Sequence, residues 1–187
     1  MKNVLIIVSH PKKDSLTMAM AHQFKKLSEG SGNNIEFIDL YKTKHQQSFF
    51  SFENTNSTDI TPEVEYFQNA ISKADEIAFF FPYWWGSFPA ILKNFFDCNF
   101  SKGFAFKYVN SMPKGLLTNK KVKIFTTTGA PKFFYTLTGA NSRLKNMIKK
   151  QIVEFCGMKL DSCNIYGSVN TKNKNITKIL NDIKNKV

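Results

Sequence analysis

The sequence predicts a doubly wound α/β domain: a three-layer α/β/α sandwich around a five-stranded parallel sheet of order 2-1-3-4-5. Three observations predict it. Apolar runs suited to strands alternate with segments of helical periodicity, in the order β-α-β-α-β-α-β-α-β-α. The first of these runs, Asn3 to Ser9, is continuously apolar and rich in β-branched residues, as in a strand buried on both faces. The 187 residues, 42% hydrophobic and 21% charged, suit one domain spanning 1–187 and built on its own core. Right-handed crossovers between five such strands give the doubly wound order. In that order ligands bind beyond the carboxyl ends of the strands, where the order reverses.

Each element follows from its residues. After the first strand comes a short polar loop, His10 to Asp14. Leu16, Met20, Phe24 and Leu27 then recur at helical spacing, and the helix stops before Gly30. Ile35 to Leu40 reads as the second strand. Tyr41 to Asp59 is polar and long for a connection, so it is either a functional loop or a mobile one, and Phe49, Phe50 and Phe52 within it need a partner. Pro62 can open a helix that Glu63 to Lys73 continues, ahead of a third strand over Glu76 to Phe81. Pro89 to Cys98 is the next helix, and Phe100 to Asn119 reads as a loop. A fourth strand covers Lys121 to Thr127. A helix over Asn141 to Phe155 ends at Gly157, a fifth strand covers Lys159 to Ile165, and a basic amphipathic helix closes the chain over Asn173 to Lys186.

Composition narrows the function. Three cysteines without C-x-x-C spacing argue against a disulfide framework, and three scattered histidines give a protein-built zinc site little support. The apolar runs Val4 to Val8 and Ile77 to Trp85 are too short for a leader or a membrane span, which points to a cytoplasmic protein. Charge is uneven: residues 1–100 hold 9 Lys/Arg against 11 Asp/Glu, and residues 101–187 hold 17 against 3. Such a half suits an anionic partner, although a solvated lysine face is the plainer reading. Only one of the 26 basic residues is arginine, Arg143, which argues against base readout and nucleic-acid binding.

Three loops fall at the edge where ligands bind. The first, Ser9 to Ala19, offers free N–H groups at a helix start with the hydroxyls of Ser15 and Thr17, which suits a phosphate; plain helix capping explains the same residues. It contains no glycine-rich nucleotide motif. The second, Pro82 to Pro89, carries both tryptophans in a stiff turn, which suits a planar heteroaromatic ligand or a subunit contact. The third, Thr126 to Pro131, adds hydroxyls and the N–H groups around Gly129, with Tyr135 beyond it as a proton donor or a stabiliser of negative charge. Together they describe a site for a phosphorylated planar cofactor, and a flavin nucleotide fits best.

His10-Pro11 with Ser15 and Ala19, FPYWWGSFPAILKNFFD over 81–97, Gly103 to Phe106, Thr127-Thr128-Gly129 with Tyr135 and Gly139, and Phe155 to Met158 occur in one order along the chain. In these segments the sequence resembles the flavodoxin-like NAD(P)H:quinone oxidoreductases and the related flavin reductases. The resemblance implies a flavodoxin-like fold, FMN or FAD at the carboxyl edge of the sheet, and a homodimer with its sites at the interface. It implies ping-pong transfer of a hydride from NAD(P)H to the flavin and then of two electrons to a quinone or similar small acceptor. By that resemblance Ser15, Thr17, Met18 and Ala19 hold the phosphate, and His10 is also cofactor-binding. Pro82, Tyr83, Trp84, Trp85 and Gly86 flank the ring, and Thr127, Thr128, Gly129 and Ala130 meet its polar edge. Tyr135 serves the reduced flavin.

This chain departs from the family pattern in three places. Where quinone reductases carry a relay histidine stands Asn141, an amide that can hydrogen-bond but cannot act as an acid. Ala130-Pro131 replaces a common glycine and removes an N–H. The chain lacks the extra C-terminal region of the longer FAD enzymes, which favours FMN. The alternatives are a flavin-binding ancillary or regulatory subunit, with a membrane protein among its candidate partners, and an electron carrier.

Overall fold

The structure is a computed structural model that describes residues 1–51, 60–169 and 176–187. Its main sheet is formed by β1 (Asn3–Val8), β2 (Asn34–Asp39), β3 (Glu76–Pro82), β6 (Lys121–Thr127) and β7 (Lys159–Tyr166). The strands lie in the order β2-β1-β3-β6-β7 and every neighbouring pair is parallel. Counting only the strands of this sheet, that is the expected 2-1-3-4-5 order.

Helices cover both faces. On one side α1 (Leu16–Gly30) and α6 (Ile176–Ile183) pack Met20, Phe24, Ile179 and Ile183 against Val4, Ile6, Val8, Phe80 and Phe125. The rings of Phe80 and Phe125 stack 4.5 Å apart at the centre of this layer, with Phe24 tilted against both. On the other side α2 (Pro62–Lys73), α3 (Ala90–Asn99) and α5 (Ala140–Asn146) bury Phe67, Ile71, Leu92, Phe95 and Leu144 against Leu5, Ile7, Ile77, Phe79 and Ile124. Alternate residues of β1 and β3 thus serve opposite layers, which is why both strands read as unbroken apolar runs.

The helix starts are set locally. Ser15, in an extended conformation, accepts the Met18 N–H and caps α1; Thr61 accepts the Val64 N–H and caps α2, which has proline in its first turn. Helix α1 runs through Gly30 instead of stopping before it, and ends where Ser31 donates back to the Leu27 carbonyl and Gly32 turns left-handed.

The structure departs from the expected elements in three further places. The segment read as a loop over 100–119 holds an antiparallel hairpin, β4 (Phe106–Val109) with β5 (Met112–Gly115). Its turn, Asn110-Ser111, has both φ angles positive, the tight hairpin geometry, but its strands are mostly exposed and carry no two-faced apolar pattern. A short helix, α4 (Lys132–Leu137), follows Pro131 and buries no residue, so nothing in its periodicity announces it. The helix expected over 141–155 is α5 continued by a π-helical turn, Met147–Val153. Buried Leu144, Ile148 and Val153 are spaced by four and then five residues, and the wider turn keeps Val153 on the core face.

Part of the 41–59 loop is docked. The Asn94 side chain donates to the carbonyls of Gln47 and Ser48, and Asn99 pairs with the Gln47 amide, so α3 holds residues 47–48. Phe49 stays 77% exposed; Phe52, and residues 173–175 of the expected last helix, lie outside the described residues. Among the described residues no helix is long and apolar enough to cross a membrane.

Candidate active site

The sheet register brings three strand ends level. Ser9 donates to the Phe80 carbonyl at 2.9 Å, Tyr83 to Thr127 at 2.8 Å, and Thr128 to Tyr166 at 2.8 Å. The three loops anticipated from the sequence leave from this edge, and side chains join each pair of them. Thr17, fully buried in the first turn of α1, shares a 3.4 Å hydrogen bond with the Thr127 hydroxyl. The His10 ring lies 5.8 Å from that of Trp84. Tyr83 meets Tyr135 edge-on at 5.6 Å.

In the first loop the capping reading holds for Ser15, whose Oγ takes the Met18 N–H, while Ala19 donates to the Ser15 carbonyl. The N–H groups of Leu16 and Thr17 are left without an intrahelical acceptor, as at any helix start, and the Ser15 hydroxyl proton is uncommitted among the described residues. Met18 sends its side chain into the core and is 5% exposed, so most of it is structural. A cavity of about 430 Å³ opens beside this turn, lined by Lys13, Asp14, Ser15, Leu16, Met18, Ala19, His22 and Ile176. His10 closes its own tight turn by accepting the Lys12 N–H at 3.0 Å. Burial, ahead of the Lys12 charge, lowers its pKa from 6.5; a neutral ring fits an Nδ1 acting as acceptor.

The second loop is a two-residue turn. Trp84 and Ser87 exchange both backbone hydrogen bonds at 2.9 Å, and Trp85 and Gly86 between them have φ of +51° and +78°. Glycine suits such a position; tryptophan does not. Trp85 stands wholly in solvent and Trp84 is also exposed, so neither tryptophan is spent on the core. Pro82 and Tyr83 are buried beneath them. Burial raises the Tyr83 pKa; Arg143 pulls it back and Tyr135 pushes it further up.

In the third loop buried Thr128 donates to the Ala130 carbonyl at 3.0 Å and shapes the turn, leaving Gly129 exposed at its tip. Tyr135 is half-buried on α4, facing Tyr83. Asn141 is used locally: its amide donates to the Thr136 hydroxyl at 2.8 Å and to the Lys132 carbonyl at 3.3 Å, tying α5 to α4. Among the described residues its Oδ1 is buried without a partner. Sequence reasoning missed Arg143 as a neighbour of this site. Its signal was present, as the lone arginine of the chain, but only the turn at Gly139 between α4 and α5 brings it near Tyr83.

The donor set fits a flavin phosphate and ring. A 15-residue helix start with a hydroxyl at its cap borders an open cavity, and an exposed aromatic turn faces a hydroxyl-rich one. Among the described lining residues Asp14 is the one carboxylate, and it opposes an anion there.

Fold and edge together define a doubly wound α/β protein with a candidate ligand site beyond the carboxyl ends of its strands. The chain matches the family described as flavodoxin-like fold over residues 2–187, and it belongs to that family. It is 32% identical over 170 residues to an uncharacterized NAD(P)H oxidoreductase of Haemophilus influenzae, spanning 89% of this chain and 84% of that one. It is 33% identical over 162 residues to the FMN-dependent NADH:quinone oxidoreductase of Mycoplasma genitalium, spanning 79% of this chain and 78% of the relative. Among solved structures, the NAD(P)H:quinone oxidoreductase of Methanothermobacter marburgensis superposes with a TM-score of 0.87 over 98% of this chain and 94% of its own. At 22% identity that likeness speaks for the fold. These relatives are oxidoreductases, and this chain is one of the same family.

Proposed function

We propose that this chain is a single-domain, FMN-dependent NAD(P)H oxidoreductase that reduces a quinone or a similar flat acceptor in the cytoplasm. One observation carries the reading: contacts Thr17–Thr127, His10–Trp84 and Tyr83–Tyr135 gather a phosphate-type helix start, an aromatic turn and a hydroxyl-rich turn at one sheet edge. When bound, the flavin supplies the two-electron chemistry between nicotinamide and acceptor. FAD is the alternative cofactor, and the relative from Mycoplasma genitalium, named as FMN-dependent, favours FMN.

The residues of the chain divide the remaining work. The first turn of α1 and Ser15 bind the phosphate, with Lys13 attracting it from the cavity wall. Trp84 and Trp85 offer flat apolar faces that orient the ring and exclude water from it. Gly129 and the Ala130 N–H face its polar edge, on a turn that Thr128 holds in shape through its hydroxyl and both its backbone groups. The Tyr135 hydroxyl, beside Tyr83, donates a hydrogen bond where negative charge develops. Asn141 orients α4 and moves no proton.

A second copy of the chain completes the site in this reading. Trp85, Phe133, Phe134 and Leu137 are all exposed around it, an apolar surface of the kind that pairing covers. Steady-state turnover tests the proposal: loss of reduced nicotinamide that depends on both added FMN and a quinone, with parallel-line kinetics, is the expected result. No turnover with NADH or NADPH across a quinone series contradicts it.

A further inference from the structure

Arg143 is the one arginine among 26 basic residues, and it lies on α5, which Asn141 ties to the α4 helix that carries Tyr135. It lies one turn past Gly139, whose φ of +72° lets the chain pass from α4 into α5. Its Nη1 donates to the Thr138 carbonyl at 3.0 Å, which fixes one edge of the guanidinium. Among the described residues no carboxylate pairs with it. No Asp or Glu occurs in the sequence between Asp97 and Glu154, so nothing near it along the chain competes for the charge. The residue is exposed, and among the described residues the other N–H groups of its planar fork have no protein acceptor. Its charge also favours the ionised form of Tyr83, whose ring meets that of Tyr135 edge-on.

A surface charge kept for solubility is a lysine elsewhere in this chain. A guanidinium differs in that its fixed fork grips a carboxylate, sulfonate or phosphate through two parallel hydrogen bonds, and it gives up hydration more readily. Here one edge of the fork is anchored to the Thr138 carbonyl, three residues past Tyr135 at the end of α4, and the other is free among the described residues.

We propose that Arg143 is a specificity-determining residue that binds an oxyanion carried by the ligand lying against Tyr83 and Tyr135. The inference rests on the functional reading above, and the oxyanion has two sources: an acid group on the acceptor, or a phosphate of the nicotinamide dinucleotide.

Equilibrium binding to the flavin-loaded protein, read as quenching of tryptophan emission, tests this without turnover. The probes are anthraquinone sulfonate, its neutral hydroxymethyl analogue, and NADP⁺. The variants are Arg143→Gln, Arg143→Lys, and Lys145→Gln as a control on the same helix. The wild type should bind the sulfonate about tenfold more tightly than the neutral analogue, as expected for a charge-assisted hydrogen bond. Arg143→Gln should erase that preference, Arg143→Lys should keep part of it, and Lys145→Gln should keep it all. If instead only NADP⁺ binding weakens about tenfold in Arg143→Gln, the oxyanion is the dinucleotide's, and the role of Arg143 stands. If Arg143→Gln leaves both preferences where they were, or if Lys145→Gln lowers them equally, the proposal fails. Binding without turnover of either quinone contradicts the functional reading and leaves this comparison intact.

Discussion

Trp85 holds a left-handed backbone position that a bulky side chain adopts only at a cost of about 1 kcal/mol or more. Its ring gains no burial in return. Under the proposed function, that strain holds the ring where a flavin can stack on it. Trp85→Gly should leave thermal stability unchanged or slightly raised and weaken flavin retention about tenfold, the loss of one stacking face. Tyr135→Phe should do the reverse, slowing turnover about tenfold while flavin affinity stays within twofold, because only the hydroxyl is removed. Flavin titration and steady-state rates on the two variants check the contrast. His10 adds a pH dependence. Its pKa is lowered on folding, mainly by burial, so the unfolded chain binds the proton first as pH falls. The stability His10 contributes is present above its unfolded value of 6.5 and is lost as pH drops from there through the lower folded value. Thermal melts across that window should show a decline that His10→Gln reduces. These residues were legible as site candidates because their types are unusual for a loop. The strain at Trp85 was not, since a backbone angle leaves no mark on composition.

At the scale of elements, the hairpin β4–β5 is held by a backbone contact that leaves no room for a side chain. A Cβ on Gly115 would lie 2.1 Å from the Gly157 nitrogen, and Leu117 donates to the Cys156 carbonyl at 2.8 Å just beyond it. Gly115→Ala should therefore cost about 2–4 kcal/mol, measured by denaturant unfolding. Gly30→Ala, in the last turn of α1 with nothing within 4 Å, should gain about 0.5 kcal/mol or be neutral. The strands and long helices were legible because burial writes itself into periodicity. Val4–Val8 is apolar throughout because both faces of the strand are covered there, and Phe24 falls at a helical spacing from Met20 because α1 presents one stripe to the sheet. The hairpin and α4 were not, because their residues are largely exposed and each is held by turn geometry and backbone contacts. The π turn was hidden for a different reason: Ile148 and Val153 sit five apart, a spacing that reads as a break in the pattern unless the helix widens to absorb it.

Across the whole molecule, the chain is closed at the edge opposite the site by a buried ion pair. Lys123 lies 3.1 Å from Glu76 on the neighbouring strand, with both side chains under 10% exposed, and donates to the Lys186 carbonyl at 2.7 Å. This ties β3, β6 and the C-terminal residues together below the layer that carries α6. Lys123→Met leaves the Glu76 charge buried with the exposed Lys2, 3.9 Å away, as its remaining ion-pair partner among the described residues, and should destabilise by about 2–3 kcal/mol. The double variant Lys123→Met/Glu76→Gln should recover much of that, which unfolding curves for the two resolve. Nothing in the sequence distinguished Lys123 from the two lysines just before it; only strand pairing shows that it points inward. At the other edge, fold order alone brought the three loops to one place, so the site was legible as a region before any contact within it was known. The partner of Tyr83, and the arginine beside it, depended on the path of α4 and α5. The central claim is that this edge binds a flavin that NAD(P)H can reduce. An anaerobic absorbance spectrum of the purified protein with FMN, before and after NADH or NADPH, tests it most directly. A flavin band that stays with the protein and bleaches on addition is the predicted result, and a protein that retains no flavin after incubation with either FMN or FAD would contradict the account.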